Sequence, residues 1–224
     1  MPAPTPPVAP QAVLWDMDGT LVDTEPYWID AEFEVVAEHG GTWSHEHAME
    51  LVGNDLLVSG RYIAEHSGID LSAEAIVEEL LDRVVAHVGR EVPWCPGAPE
   101  LLASLRAAGV RCGLVTMSYR RLVAPILAAL PDDTFEVVVT GDSVSQGKPH
   151  PEPYEQAAAL LGVLPEQTIA IEDSPAGAAS AEAAGCTVLV VVNHVAVPAG
   201  ERRVFADTLV GLSVHDLPVP AVRR

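Results

Sequence analysis

Two aspartates, Asp16 and Asp18, stand two positions apart in the run Val13-Leu14-Trp15-Asp16-Met17-Asp18-Gly19-Thr20-Leu21. Side chains alternate along an extended segment, so both carboxylates can point to one side. Held that close, they repel each other unless a cation or a proton intervenes. Such a pair suits a nucleophile or metal ligand beside an acid/base residue with a different pKa. A second acidic pair, Glu172-Asp173, follows the apolar run Thr168–Ile171. If the two pairs face each other, they form a hard-oxygen site suited to Mg²⁺. Lys148, in Gly147-Lys148-Pro149-His150-Pro151, is the only lysine in a chain whose other basic side chains are all Arg. A lysine supplies a compact point charge where a planar fork is not needed. In Val115-Thr116-Met117-Ser118, hydroxyls and backbone N–H groups at a strand-to-helix turn suit phosphate oxygens. Helix capping by Thr116 or Ser118 is the structural alternative. His150 has no visible partner and reads as a loop residue.

Each of these groups needs an element to position it. The short apolar run before Asp16 reads as a buried strand that Gly19-Thr20 ends, leaving Asp16 at its carboxyl end, where open α/β sheets hold ligands. The chain then turns helical. Helices are expected over 27–39, 45–52, 56–66 and 72–88, the last with Ser72 as N-cap and an apolar stripe at helical spacing. Pro93-Trp94-Cys95-Pro96-Gly97 reads as the exit hinge.

From Gly97 the pattern alternates between helix and strand, the signature of a doubly wound parallel sheet. Helices are expected over 99–108, 120–130 and 152–161, and strands over 110–115, 136–139, 168–171 and 188–192. Ser174 caps a further helix that has Pro175 in its first turn and Gly185 at its end. The tail from Ala199 holds at most a short strand around Thr208–Val210. The expected organisation is a Pro-rich disordered tail over 1–10, an α/β core over 11–23 and 97–224, and an inserted helical unit over 24–92.

The string Asp16-Met17-Asp18-Gly19-Thr20-Leu21-Val22-Asp23-Thr24-Glu25 resembles the first motif of the haloacid dehalogenase superfamily, in its phosphatase and phosphomutase branch. The later sites resemble the family's second motif (Thr116, with Ser118 the runner-up), third (Lys148) and fourth (Glu172-Asp173). They occur in the family's order, and the resemblance spans Val13 to Val192. It implies that Asp16 attacks a phosphoryl group and that Asp18 handles the leaving-group proton. The dehalogenases lack the second Asp, so Asp18 points to phosphate chemistry. Lys148 would hold Asp16 and the phosphoryl oxygens together, with Thr116, Met117 and Ser118 around the phosphate. Mg²⁺ would be held by Asp16, the Asp18 carbonyl and Asp173, with Glu172 acting directly or through water. The helical insertion would be a Rossmann-like core's cap, closing over the site.

The resemblance makes a phosphatase of small sugar or polyol phosphates, acting through an aspartyl-phosphate, the expected function. Glu25, Trp28, His47, Asn54 and Asp55 are candidate cap contacts, of which Glu25, Asn54 and Asp55 are taken as substrate-binding. A sugar phosphomutase of the beta-phosphoglucomutase type is the alternative. It needs a cationic grip on a second phosphate, and the segment Leu51 to Leu57 has no basic residue; Arg61 is the nearest. A non-catalytic phosphometabolite-binding protein is the reading from another class, and turnover of an aryl phosphate separates the two.

Composition sets the outer bounds. The chain has 224 residues and a net charge of -20, which argues against nucleic acid and anionic membranes as partners. The same charge makes a local cation necessary at any phosphate site. Cys95, Cys112 and Cys186 lack paired ligand spacing and read as small buried hydrophobes rather than disulfides or a zinc site. No apolar run reaches membrane-spanning length. The expectation is a cytoplasmic protein, monomeric or else a homodimer, whose partner is a small phosphorylated metabolite.

Overall fold

The computed structural model describes residues 10–52, 56–191 and 193–220. Asn54, Asp55, positions 1–9 of the expected tail and the last residue of the expected strand 188–192 lie outside them. Six strands form one parallel sheet: β1 Ala12–Trp15, β2 Arg111–Val115, β3 Val137–Val139, β4 Thr168–Glu172, β5 Thr187–Val191 and β6 Arg203–Ala206, in the order β3-β2-β1-β4-β5-β6. The chain winds outward from β1 in both directions. The crevice between β1 and its neighbours is therefore the switch point at which such sheets bind ligands.

Strand β1 is fully buried on both faces, as a central parallel strand must be. Val13 and Trp15 pack into one apolar layer and Ala12 and Leu14 into the other. Its register pairs Trp15 with Leu114 of β2 and with Ile171 of β4. The residues that follow these partners emerge together at the carboxyl edge of the sheet. The doubly wound expectation stands.

Between β1 and the next core helix come α1 Glu25–Glu38, α2 His45–Leu51, α3 Leu56–His66 and α4 Ala73–Arg90, with no strand among the described residues there. Helix α1 starts two residues earlier than expected, because Pro26 is tolerated in a first turn whose N–H groups have no intrahelical partner. Ser72 caps α4 by accepting from the Ala75 N–H, and Ile76, Leu80, Leu81, Val84 and Val88 are buried along one stripe. The two chain crossings into this helical segment run side by side: the Asp23 N–H donates to Pro93 O at 2.8 Å, and the Cys95 N–H to Leu21 O at 3.0 Å.

The remaining helices are α5 Ala98–Ala107, α6 Arg120–Ala128, α7 Glu152–Leu161 and α8 Pro175–Ala184. Ser174, Pro175 and Gly185 take the capping positions of α8 as read from the sequence. The strand expected around Thr208–Val210 is a correction. Thr208 Oγ1 instead accepts from the Val210 N–H in a local turn. The sixth strand is Arg203–Ala206, with Val204 and Phe205 exposed on an edge, so it lacks the buried apolar pattern that marks the inner strands. The three cysteines are buried and unpaired. Among the described residues, no helix is long and apolar enough to cross a membrane.

Candidate active site

Backbone pairing continues one residue past the strands and lines up the chemical groups. The Asp16 N–H donates to Ile171 O at 3.0 Å, and the Thr116 N–H to Val139 O at 2.9 Å. Asp16, Thr116 and Glu172 thus share the carboxyl edge of the sheet. Lys148 reaches in from the loop before α7, and its side chain is only 5% exposed. Its ammonium donates to Asp16 Oδ1 at 2.5 Å, Glu172 Oε1 at 2.7 Å and Val115 O at 2.9 Å. All three of its donors are used.

Glu172, fully buried, is held by more than the lysine. Tyr154 of α7 donates its hydroxyl to Oε1 at 2.6 Å, and the Ser174 hydroxyl donates to Oε2 at 3.2 Å. Gly177 makes room for it, since a Cβ there would come within 1.9 Å of Oε1. Tyr154 is absent from the sequence reading. Its only signal was a position in the first turn of α7, two residues past Glu152 and six past Lys148.

Asp18 is oriented by hydroxyls from two parts of the chain. Thr24 donates to Oδ1 at 2.7 Å, while Ser118 and Thr116 donate to Oδ2 at 2.7 and 3.2 Å. Thr24 is the N-cap of α1 yet makes no side-chain cap bond there. It ties the helical segment to Asp18 instead. Neither Thr116 nor Ser118 caps α6, whose N-cap is Tyr119; the capping alternative for both is set aside. Met117 Sδ accepts from the Lys148 N–H at 3.2 Å, which fixes the lysine loop against the second motif.

Asp16, Glu172 and Asp173 each place a carboxylate oxygen within 4.8 Å of the others. Burial, then the charge of Glu172, raises the Asp16 pKa well above the carboxylate range, against the pull of Lys148. The same two causes push Asp173 up to about 7. For Lys148, burial opposes the charge, but Asp16 and Glu172 outweigh it and raise the ammonium pKa. Three buried carboxylates against one lysine leave the cluster short of positive charge. Hard oxygen donors in that state fit Mg²⁺, which relieves the mutual repulsion. Gly19, with φ of +85°, lies against this cluster, and a Cβ on it would come within 2.0 Å of Asp173 Oδ2.

A cleft of about 470 Å³ opens from these groups. Its floor includes Asp16, Asp18, Thr116, Met117, Ser118 and Lys148, and the helical segment supplies its opposite wall. Glu25 and Trp28 line that wall as expected, joined by Glu32, Ser59 and Leu80. His47 is not among the lining residues and packs against Trp43 and Tyr62. His150 serves its own loop, its Nδ1 accepting from the Glu152 N–H.

Comparison with known proteins gives the family. Residues 13–191 match the family of haloacid dehalogenase-like hydrolases. Hexitol phosphatase B of Escherichia coli (strain K12) is 31% identical over 183 residues, 80% of this chain and 82% of that protein. The plasmid phosphoglycolate phosphatase of Cupriavidus necator is 35% identical over 211 residues, covering 92% and 91%. A mutant of CbbY from Rhodobacter sphaeroides, solved with xylulose-(1,5)bisphosphate, superposes with a TM-score of 0.79 at 28% identity, covering 91% of this chain and 96% of that one. The chain belongs to the haloacid dehalogenase-like hydrolases, in their branch of sugar-phosphate phosphatases and mutases.

Proposed function

We propose that this hydrolase is a Mg²⁺-dependent phosphatase for a small phosphate monoester, a sugar or polyol phosphate, and that it works through an aspartyl-phosphate on Asp16. The observation that carries the reading is the arrangement at the sheet edge. One fully engaged lysine bridges Asp16 and Glu172, and beside it Asp18 is held by three hydroxyls.

In the first step a carboxylate oxygen of Asp16 forms a bond to phosphorus as the bond to the leaving alkoxide breaks. Asp18 gives its proton to that leaving oxygen. In the second step Asp18 takes a proton from water, which attacks phosphorus, releases inorganic phosphate and restores Asp16. Lys148 neutralises charge on the nucleophile and on the phosphoryl oxygens throughout. Asp16, Asp173 and the Asp18 carbonyl would hold the Mg²⁺, with Glu172 anchoring Lys148 behind them. When bound, the ion supplies the positive charge that lets a phosphate approach this acidic pocket. The helical segment acts as the cap, with residues 24–92 as its bounds. It excludes water during the first step and contacts the leaving group. The unpaired cysteines fit a reducing compartment, which we take to be the cytoplasm.

The test is release of inorganic phosphate from hexitol and hexose monophosphates with Mg²⁺, and again in excess chelator. Phosphate release that needs the metal supports the reading. Undiminished turnover in chelator overturns the metal assignment. Efficient interconversion of hexose 1- and 6-phosphates with little phosphate release overturns hydrolysis in favour of a mutase.

A further inference from the structure

The wall of the cleft opposite the catalytic groups carries a chemistry that the phosphoryl reaction does not use. Glu25, Trp28 and Glu32 are spaced three and four residues apart on α1, so they share one helix face, and all three line the cleft. Glu32 is only 5% exposed. Its Oε2 accepts from the Trp43 indole N–H at 3.0 Å, which leaves Oε1 for the cleft. Trp43 is itself fixed by ring contacts with His47 and Tyr62, at centroid distances of 4.9 and 6.1 Å. The Trp43 bond therefore orients the carboxyl on the wall of the cleft. With Oε2 already tied to Trp43, the remaining carboxyl oxygen of this cleft-lining residue is the one placed to meet a polar group of a bound ligand.

Charge decides which group. Among the described residues that line the cleft, Lys148 is the sole cation, and it is already bound to Asp16 and Glu172. Gly53-Asn54-Asp55, which lie outside the described residues, contain no basic residue. A second anion on the substrate would be buried beside Glu25 and Glu32 with no counter-charge, which is costly; a hydroxyl carries no such cost. Burial, reinforced by the charge of Glu25 and opposed by the Trp43 bond, lifts the Glu32 pKa to about 8. At neutral pH the group then offers both an O–H and an acceptor oxygen, matching an alcohol.

We propose that Glu32, positioned by Trp43, determines specificity by hydrogen-bonding a hydroxyl of the leaving alcohol, so that the substrate is a monophosphate of a neutral polyhydroxy compound. This deepens the phosphatase reading and rests on it. A carboxylate-bearing or doubly phosphorylated ester is disfavoured by the same wall.

The test measures binding apart from turnover. A hexitol 6-phosphate, phosphoglycolate, a hexose bisphosphate and inorganic phosphate are titrated calorimetrically into the Asp16→Asn protein, with and without Glu32→Leu or Glu32→Gln. Losing one such hydrogen bond corresponds to a weakening of about tenfold. Glu32→Leu should weaken hexitol phosphate by about that factor and leave inorganic phosphate within about twofold, and Glu32→Gln should retain most of the affinity, since an amide keeps a donor and an acceptor. If Glu32→Leu does not fold, Trp43→Phe serves. It keeps the ring packing, frees the carboxyl, and should weaken hexitol phosphate alone.

Unchanged hexitol phosphate affinity, or an equal loss for inorganic phosphate, overturns the proposal. So does phosphoglycolate or the bisphosphate binding as tightly as the hexitol ester. Turnover of an aryl phosphate by the otherwise unaltered protein is scored separately. Its absence would sink the phosphatase reading, and the titrations would still decide the role of Glu32.

Discussion

Replacing Glu32 by Gln should change how stability depends on pH, in a direction opposite to that of an ordinary salt-bridged carboxylate. The Glu32 pKa moves from 4.5 to about 8, first through burial and then through Glu25, with the Trp43 bond pulling the other way. Below pH 4.5 the group is protonated in folded and unfolded chains alike and contributes no pH dependence. Between 4.5 and about 8 the unfolded chain releases this proton while the folded chain keeps it, so stability falls as pH rises. Above that window both forms are ionised and the penalty stays constant. At about 1.36 kcal/mol per pH unit the full window corresponds to at most about 5 kcal/mol. Water entering the cleft screens the group, and roughly 2–3 kcal/mol is the realistic scale. For a chain of this size that is roughly 5–10 °C in Tm. Thermal denaturation of the parent and Glu32→Gln proteins should give nearly equal Tm at pH 5 and a more stable variant at pH 9. A difference that does not vary with pH, or one that favours the parent as pH rises, would refute the reasoning.

Three other substitutions probe the site. Lys148→Arg should lower kcat by about 10²–10³-fold, because a planar head cannot fill a point-charge position between Asp16 and Glu172; near-normal kinetics would reduce Lys148 to a loop residue. Tyr154→Phe removes the hydroxyl 2.6 Å from Glu172 Oε1 and should cost about 1.5–3 kcal/mol in a urea titration. An unchanged midpoint would mean that Glu172 does not depend on that donor. Gly19→Ala puts a methyl into the Asp173 carboxylate at a φ of +85°, so both turnover and the Tm gain on adding Mg²⁺ should fall. Retention of both would separate Gly19 from the acidic cluster.

The site was legible where chemistry coincides with strand ends. Asp16, Thr116 and Glu172 each follow an apolar run, and a parallel sheet brings such positions to one edge whatever separates them in sequence. Lys148 stood out as the single lysine. What escaped the sequence depends on packing between distant segments. Glu32 reads as one glutamate among several on α1, and only the approach of Trp43 and the closure of the cleft set it apart. Tyr154 looks like an ordinary apolar helix position until α7 packs against β2 and β3 and its hydroxyl reaches Glu172 at the end of β4. The sixth strand hides for a different reason. On an exposed edge, Arg203–Ala206 needs no buried alternation, so the periodicity that marks inner strands is missing.

The central claim is that the phosphoryl group passes through Asp16. The direct measurement is to quench the enzyme during turnover, treat it with borohydride, and sequence the active-site peptide by mass spectrometry. Reduction of an acyl-phosphate converts the aspartate to homoserine. The account predicts homoserine at position 16 only, formed in the presence of substrate and Mg²⁺ and absent when either is withheld. Substrate-dependent phosphate release with an unmodified Asp16, or with the label on Asp18 or Asp173, would contradict it.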